Sequence, residues 1–169
     1  GVTSEAELMD IFCTKWISPH FSTTAVSQQL PPGIKILQVY PIALTMPSLQ
    51  SQVGYAEYRV EVETENDQKA VELAINSLLS VKHLPWQHQR DTGPRRYDLR
   101  ALIDDLWLID WRRGYCTIGM RLYCDNRGSG RPEQVTAALG LNILLRSIDR
   151  TKLIPKTFNR REVGLLGEV

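Results

Sequence analysis

Cysteine and histidine are scarce in this sequence, and their scarcity excludes several kinds of chemistry. Three cysteines, Cys13, Cys116 and Cys124, occur in 169 residues. Their odd number and wide spacing argue against a disulfide framework. No C-x₃-C-x₂-C loop is present to hold a four-iron cluster. Cys116 and Cys124 share strand parity with Ile118, Met120 and Leu122, so both read as buried core thiols. The three histidines, His20, His83 and His88, include no helical i,i+4 pair, and no carboxylate sits in a recognised ligand pattern. His83 and His88 near Asp91 form at most a weak metal or acid–base pair, beside the simpler reading of loop and strand-edge histidines. No Ser-His-Asp order, nucleophile elbow, P-loop or dinucleotide fingerprint occurs. No cofactor is expected in this chain.

Other absences bound the chain's setting. No apolar run approaches the ~18 residues of a membrane helix, and nothing after Gly1 resembles a signal peptide. The expectation is a cytoplasmic protein without membrane contact. No Gly- or Ser-rich linker interrupts residues 1–169, which are expected to form a single domain whose halves share one sheet or pack tightly. The first residue is Gly rather than Met, so the expectation is a chain that begins inside a longer protein or has been processed.

What is present is charge of uneven distribution. The formal net charge is +1. Residues 1–85 hold five Lys/Arg and nine Asp/Glu, whereas residues 86–169 hold fifteen and ten. Thirteen of those fifteen cations are Arg, the side chain suited to bidentate contacts with phosphate or carboxylate. The basic half points to an anionic partner, against the plainer reading of a solvated surface of mixed charge.

Periodicity supplies the elements. Glu5–Thr14 reads as a strand with imperfect alternation. Ser18-Pro19 opens a helix with a Ser cap and Pro at the first helical position, and Pro31-Pro32-Gly33 ends it. Ile34–Leu44 is rich in β-formers, with Pro41 marking a bend or edge. Tyr55–Glu63 alternates cleanly, with Ala56, Tyr58, Val60 and Val62 on one face. Asn66 or Asp67 caps the next helix, whose stripe is Val71, Ala74, Ile75, Leu78 and Leu79. A short strand at Leu84–Arg90 precedes a loop at Asp91–Pro94, and Leu99–Ile103 reads as extended. Leu106–Trp111 and Tyr115–Cys124 form a hairpin around Arg112-Arg113-Gly114. Leu141–Ile148 is apolar and ambiguous, and the tail from Lys152 is basic, then mixed. The order predicts an α+β fold: an antiparallel sheet with helices on one face, built of ferredoxin-like repeated split β-α-β units.

The stretch Arg127-Gly128-Ser129-Gly130-Arg131-Pro132 lies between the last clear strand and a helix. It either presents arginines and backbone N–H groups to an anion or is only a strand-to-helix turn. The candidate anion- or RNA-binding set is Arg127, Arg131, Arg121, Tyr115, Tyr123 and Arg100. Tyr115, Arg121 and Tyr123 share the wet face of one strand, and arginines interleaved with exposed aromatics on a sheet suit single-stranded RNA. The alternative is a solvated sheet face with amphipathic tyrosines. Asp104, Asp105 and Asp110 read either as a carboxylate site or as the wet face and bends of a strand.

Six ordered segments carry a resemblance: Gly1–Ile11, Leu30–Ile34 (LPPGI), Ala56–Val60 (AEYRV), Tyr97–Ile103 (YDLRALI), Gly130–Val135 (GRPEQV) with Leu139, and Arg150–Leu153 (RTKL). Together they resemble the radical-SAM-linked domain of unknown function, found in bacteria beside, or fused behind, a cobalamin-binding-type radical SAM module. The resemblance implies a radical SAM protein or module as partner. It also implies Ser-His-Leu-Asp and Gly-Phe-Asn-Pro-His-Pro elements upstream of Gly1, neither of which is in this chain, so residues 1–169 are expected to be the C-terminal portion. The family offers no settled catalytic residues to carry over. Its Arg-Pro helix start matches Arg131-Pro132, and its Arg-Thr-x-Leu element matches Arg150, Thr151 and Leu153.

Two functional readings follow. One is an auxiliary module that binds RNA or another anionic substrate for a radical SAM partner. The other is a docking or structural module without nucleic-acid contact, favoured if exposed Trp16, Trp86 or Trp107 lies in one apolar patch. A weaker third is an enzyme using Asp104, Asp105 and Arg131. Lacking the three-cysteine motif, the chain is not expected to catalyse radical chemistry on its own.

Overall fold

Strict alternation in the middle of the chain sets the architecture. In β2 (Val53–Thr64) every second residue from Ala56 to Val62 is buried, as expected where one sheet face meets a core and the other meets water. β6 (Gly114–Asp125) repeats the pattern with Cys116, Ile118, Met120 and Leu122 inward. The two strands pair antiparallel, with Val60 opposite Ile118. β8 (Ile143–Pro155) pairs with the other edge of β2 and sets Ile148 beside Val60.

The computed structural model describes residues 1–156 except 6, 91, 92, 126, 127 and 142, together with the backbone but not the side chain of residue 90. Two compact units divide the chain, residues 9–49 and the remainder.

The larger unit holds the sheet, in the order β1-β8-β2-β6-β5. Here β1 is Val2–Ser4 and β5 is Ile103–Arg112. β1 runs parallel to β8, and the remaining neighbours in that order are antiparallel. A two-residue strand, β7 (Gly128–Ser129), pairs with β6 at Cys124 and Asp125. Helix α3 (Gln68–Ser80) links β2 to β5, and β6 lies between those strands in the sheet. Helix α4 (Pro132–Ala138) links β6 to β8, and β2 lies between those. Two interlocked split β-α-β units result, and the fold is α+β with the ferredoxin-like order. Strands from both halves of the sequence thus share one sheet. The hairpin of β3 (Pro85–Arg90) and β4 (Gly93–Asp98) is inserted between α3 and β5.

Both helices cover one face of the sheet. Asp67 caps α3, its carboxylate accepting from the Ala70 N–H at 2.8 Å. Val71, Ile75 and Leu78 of α3 and Val135 of α4 join the inward residues of β2, β5, β6 and β8 in a single apolar cluster, with Leu139 just past the end of α4. Cys116 belongs to it, and burial pushes its thiol pKa up.

The smaller unit, residues 9–49, contains α1 (Pro19–Ser27). Its predicted start is present: the Ser18 hydroxyl accepts from the Phe21 N–H at 3.2 Å, and Pro19 is the first helical residue. None of residues 9–49 is buried. A last helical turn, α2 (Leu49–Gln52), leads into β2.

Four expectations change. Among the described residues no strand covers Glu5–Thr14. β1 stops at Ser4, where its ladder with β8 ends at Arg150, and the Glu5 N–H makes a last bond to the Arg150 carbonyl at 3.0 Å. Ile34–Leu44 carries β-forming side chains but no strand, since among the described residues no neighbouring strand takes up its backbone groups. Leu99–Ile103 is not extended throughout. A 3₁₀ turn spans Arg100–Leu102, nucleated by Asp98, whose carboxylate accepts from Leu84 and Arg100 N–H groups at 2.8 and 3.0 Å. The ambiguous Leu141–Ile148 stretch resolves as the start of β8, which takes up Lys152–Pro155 as well. Asp91, Thr92, Arg127 and the tail from residue 157 lie outside the described residues.

Candidate functional site

The open face of the sheet carries three of the predicted site residues, and two of them, Arg121 and Tyr123, have side-chain partners there. Arg121 donates from Nε to Glu57 at 2.9 Å and lies 3.5 Å from Asp104. Its hydrogen bond to Glu57 raises its pKa further above the ordinary value. Tyr123 stacks at a tilt on Tyr55, with ring centroids 4.7 Å apart. Tyr115 is exposed opposite Glu63. Eight residues of strand separate Tyr115 from Tyr123, about 26 Å, so the two tyrosines cannot hold one base between them. Arg59 pairs with Glu5 and Arg146 with Glu63. Glu61 and Asp149 add carboxylates that accept from Ser147 and Thr3. The arginines of this face are matched by carboxylates, so it lacks the concentrated positive charge that drives counterion release from nucleic acid.

Arg100 is drawn into the fold. Its Nε and Nη2 donate to the Leu79 carbonyl at 3.3 and 3.1 Å, and Nη1 donates to the Ile103 carbonyl at 2.6 Å. The side chain clamps the last turn of α3, where carbonyls lack intrahelical partners, to the start of β5. Its donors serve backbone oxygens.

Arg131 is placed differently. It is the N-cap residue of α4, and its side chain makes no cap bond. Gly130 just before it fits tightly. A Cβ there would lie 2.8 Å from the Leu102 carbonyl oxygen and 2.9 Å from Leu122 Cβ. The Gly130 N–H donates to the Tyr123 carbonyl at 2.8 Å. The glycine is needed for close packing against β6 and the 3₁₀ turn. Fixed in this way, Arg131 lines a cleft of about 290 Å³ with Arg150, Tyr58, Glu7, Glu133 and Ser4.

Arg150 reaches this cleft because β8 sets it beside Tyr58 of β2 and Ser4 of β1, on the inward side of the sheet. Its Nε donates to Glu7 at 2.9 Å. Burial works against the guanidinium's charge, but the bonded Glu7 holds its pKa above the ordinary value. Burial likewise works against ionised Glu7, while hydrogen bonds from Ser4 and Arg150 hold its pKa below the usual carboxylate range. Burial raises the Tyr58 hydroxyl, and Arg150 beside it acts in the opposite direction. The cleft therefore offers fixed charges of both signs and a phenol.

Of the six predicted residues, the structure brings Arg121 and Tyr123 to one end of the open face, with Tyr115 at the far end. It places Arg131 in the cleft and Arg100 in a clamp, and Arg127 lies outside the described residues. Arg150, Tyr58 and Glu7 were missing from the predicted set. The available signal was an arginine at an inward register position of a strand, the kind of residue that is rarely buried without a partner.

Other predicted constellations take structural roles. His83 Nδ1 sits 2.8 Å from Asp98, whose pKa is lowered by the Leu84 N–H and then by His83. His88 stands opposite Arg95 in the β3–β4 hairpin. Asp105 accepts from the Leu106 N–H at 2.8 Å and Asp110 pairs with Arg112, and neither they nor Asp104 line the cleft of Arg131. Trp86 packs against the core, while Trp107 lies over Gly119 on the open face. The two indoles do not share a patch. Among the described residues no three His, Cys, Asp or Glu side chains group to hold a metal, and no helix is long and apolar enough to cross a membrane.

A chain in the crystal structure of a Cbf5-Nop10-Gar1 complex is similar with a TM-score of 0.43 at 9% identity, over 62% of this chain and 32% of that one. This chain thus spans about a third of that neighbour's length. No curated protein matches it in sequence. Residues 1–132 match a family described as an uncharacterized protein conserved in bacteria (DUF2344), a match that takes in Glu7, Tyr58 and Arg131 and ends before Arg150. The chain belongs to that family.

Proposed function

We propose that this chain is an auxiliary cytoplasmic module of a radical SAM system, and that it holds an anionic substrate in the cleft of Arg131 and Arg150. One observation carries the reading. The two arginines singled out by the family resemblance lie 19 residues apart in sequence, yet they line the same cleft, with Tyr58 between strands β8 and β6. Guanidinium groups bind carboxylate or phosphate through charge-assisted hydrogen bonds, and of the two Arg150 is half-buried while Arg131 is exposed. The open face matches its arginines with carboxylates, whereas Arg131 in the cleft has no ion-pair partner among the described residues, which favours a small anion at Arg131 over an RNA laid along the sheet. Three free thiols agree with a reducing compartment.

The test is a titration of the full chain with inorganic phosphate, followed by nuclear magnetic resonance. Phosphate should shift the signals of Tyr58, Arg131 and Arg150. Arg131→Ala should weaken binding roughly tenfold or more, the size of one hydrogen bond to a charged group. Unshifted cleft signals at saturating phosphate would sink the reading.

A second reading, a module that docks on the radical SAM partner, draws on residues 9–49. Trp16 is 82% and Leu44 88% exposed, and Met9, Phe12 and Leu37 are exposed as well. So much uncovered apolar surface in one segment marks an interaction site. Replacing Phe12, Trp16 and Leu44 with Ser should abolish co-purification of the full chain with its radical SAM partner. Undiminished co-purification would refute the docking role.

A further inference from the structure

We infer that the ligand of the Arg131–Arg150 cleft is a small zwitterion, a molecule bearing an ammonium group beside its phosphate or carboxylate. The inference rests on the anion-binding reading above and narrows it.

Charge is the first argument. Two guanidinium groups, Arg131 and Arg150, share the cleft with two carboxylates, Glu7 and Glu133. Arg150 and Glu7 already neutralise one another through a bonded ion pair. Arg131 and Glu133 stand one residue apart at the start of α4, and no ion pair joins them or ties either to another described residue. One free cation and one free anion therefore face the ligand. A polyanion such as a nucleoside diphosphate would use Arg131 but bring its remaining charge against Glu133, a like-charge repulsion. A simple monoanion satisfies Arg131 and leaves Glu133 unanswered. A purely cationic ligand has the converse defect. Only a ligand carrying both signs pairs with both groups.

Size is the second argument. About 290 Å³ is at or below the lower end of pockets that enclose drug-sized molecules. The space suits a molecule of amino-acid size. The third argument is polarity. Ser4, Ser129 and the Tyr58 hydroxyl line the same space, so a small polar ligand finds neutral hydrogen-bonding groups between the two charged poles. Glu133 lines this space together with Tyr58.

The experiment compares three matched probes on the full chain by resonance titration: O-phosphoethanolamine, ethyl phosphate, which lacks the ammonium, and ethylamine, which lacks the phosphate. O-phosphoethanolamine should bind about threefold tighter than ethyl phosphate, the increment of one half-exposed ion pair, and ethylamine should bind weakest. Glu133→Gln should erase the preference by tightening ethyl phosphate, which no longer faces a repelling carboxylate, while Arg131→Ala weakens both phosphates. Equal or tighter binding of ethyl phosphate by the unaltered chain would overturn the zwitterion assignment and leave the anion site standing. A preference that survives Glu133→Gln would overturn it as well. If neither phosphate bound, the zwitterion assignment and the anion site would both fall.

Discussion

Alanine at Gly119 should expel the Trp107 indole from the open face of the sheet and lower the unfolding free energy by about 1–3 kcal/mol, the usual cost of overpacking. Gly119 is directly opposite Trp107 in the β5–β6 ladder. A Cβ there would lie 2.0 Å from the indole Cε2, 2.2 Å from Nε1 and 2.5 Å from Cζ2. These are atoms of the rigid ring, so no small adjustment relieves the clash. Against this, removing a glycine from a strand interior gains roughly 0.5–1 kcal/mol through lower entropy in the unfolded chain. The indole decides the sign. In a Trp107→Ala background the same substitution should therefore be neutral or slightly stabilising. Urea unfolding of the four proteins of this double-mutant cycle would show coupling of about 1–3 kcal/mol. An equal cost in both backgrounds would mean that the ring is not what Gly119 accommodates.

The parts of the fold that could be read from sequence are those where one residue pattern meets one environment. β2 and β6 alternate because each has a core face and a water face, and the cap at Asp67 is a local interaction three residues long. β8 could not be read in this way. It pairs with β2 along its length and with β1 at Ile148–Arg150, and its register against β2 shifts at Val53/Tyr55, Glu57/Tyr58 and Glu61/Val62, so its apolar residues do not keep a period of two. Ile34–Leu44 failed for the opposite reason. Its β-forming side chains state a preference, but a strand exists only when another backbone pairs with it.

The site divides along the same line. Arg131 was legible because a charged residue before Pro at a helix start is a local pattern. Arg100 looked equally available, but its fate depends on the Leu79 carbonyl, which only tertiary packing brings to it. Glu7 and Arg150 meet across 143 residues of chain. Nothing in either neighbourhood announces that pairing, and without it the cleft has no second arginine and no fixed carboxylate.

Gly130→Ala should destabilise the protein by about 1–3 kcal/mol and weaken phosphate binding in the cleft together with it. The Cβ would approach the Leu102 carbonyl oxygen to 2.8 Å and Leu122 Cβ to 2.9 Å. The first is backbone of the 3₁₀ turn and the second is the root of a buried side chain in β6, so neither can swing aside. The chain at residue 130 must retreat instead. That retreat stretches the Gly130 N–H bond to Tyr123, now 2.8 Å long, and shifts Arg131, the next residue. Gly128→Ala provides the control. Its Cβ would meet only Leu102 Cδ2, at 3.1 Å, the far end of a flexible side chain, and it should cost no more than about 0.5 kcal/mol, as surface substitutions usually do. If the two glycines were alternative parts of one phosphate cradle, both substitutions would impair binding and spare stability. Close packing predicts the opposite split, with stability and binding falling together at Gly130 and neither falling at Gly128. Urea midpoints and phosphate titrations of the two variants separate these outcomes, and an unchanged midpoint for Gly130→Ala would show that the loop positions Arg131 by some other means.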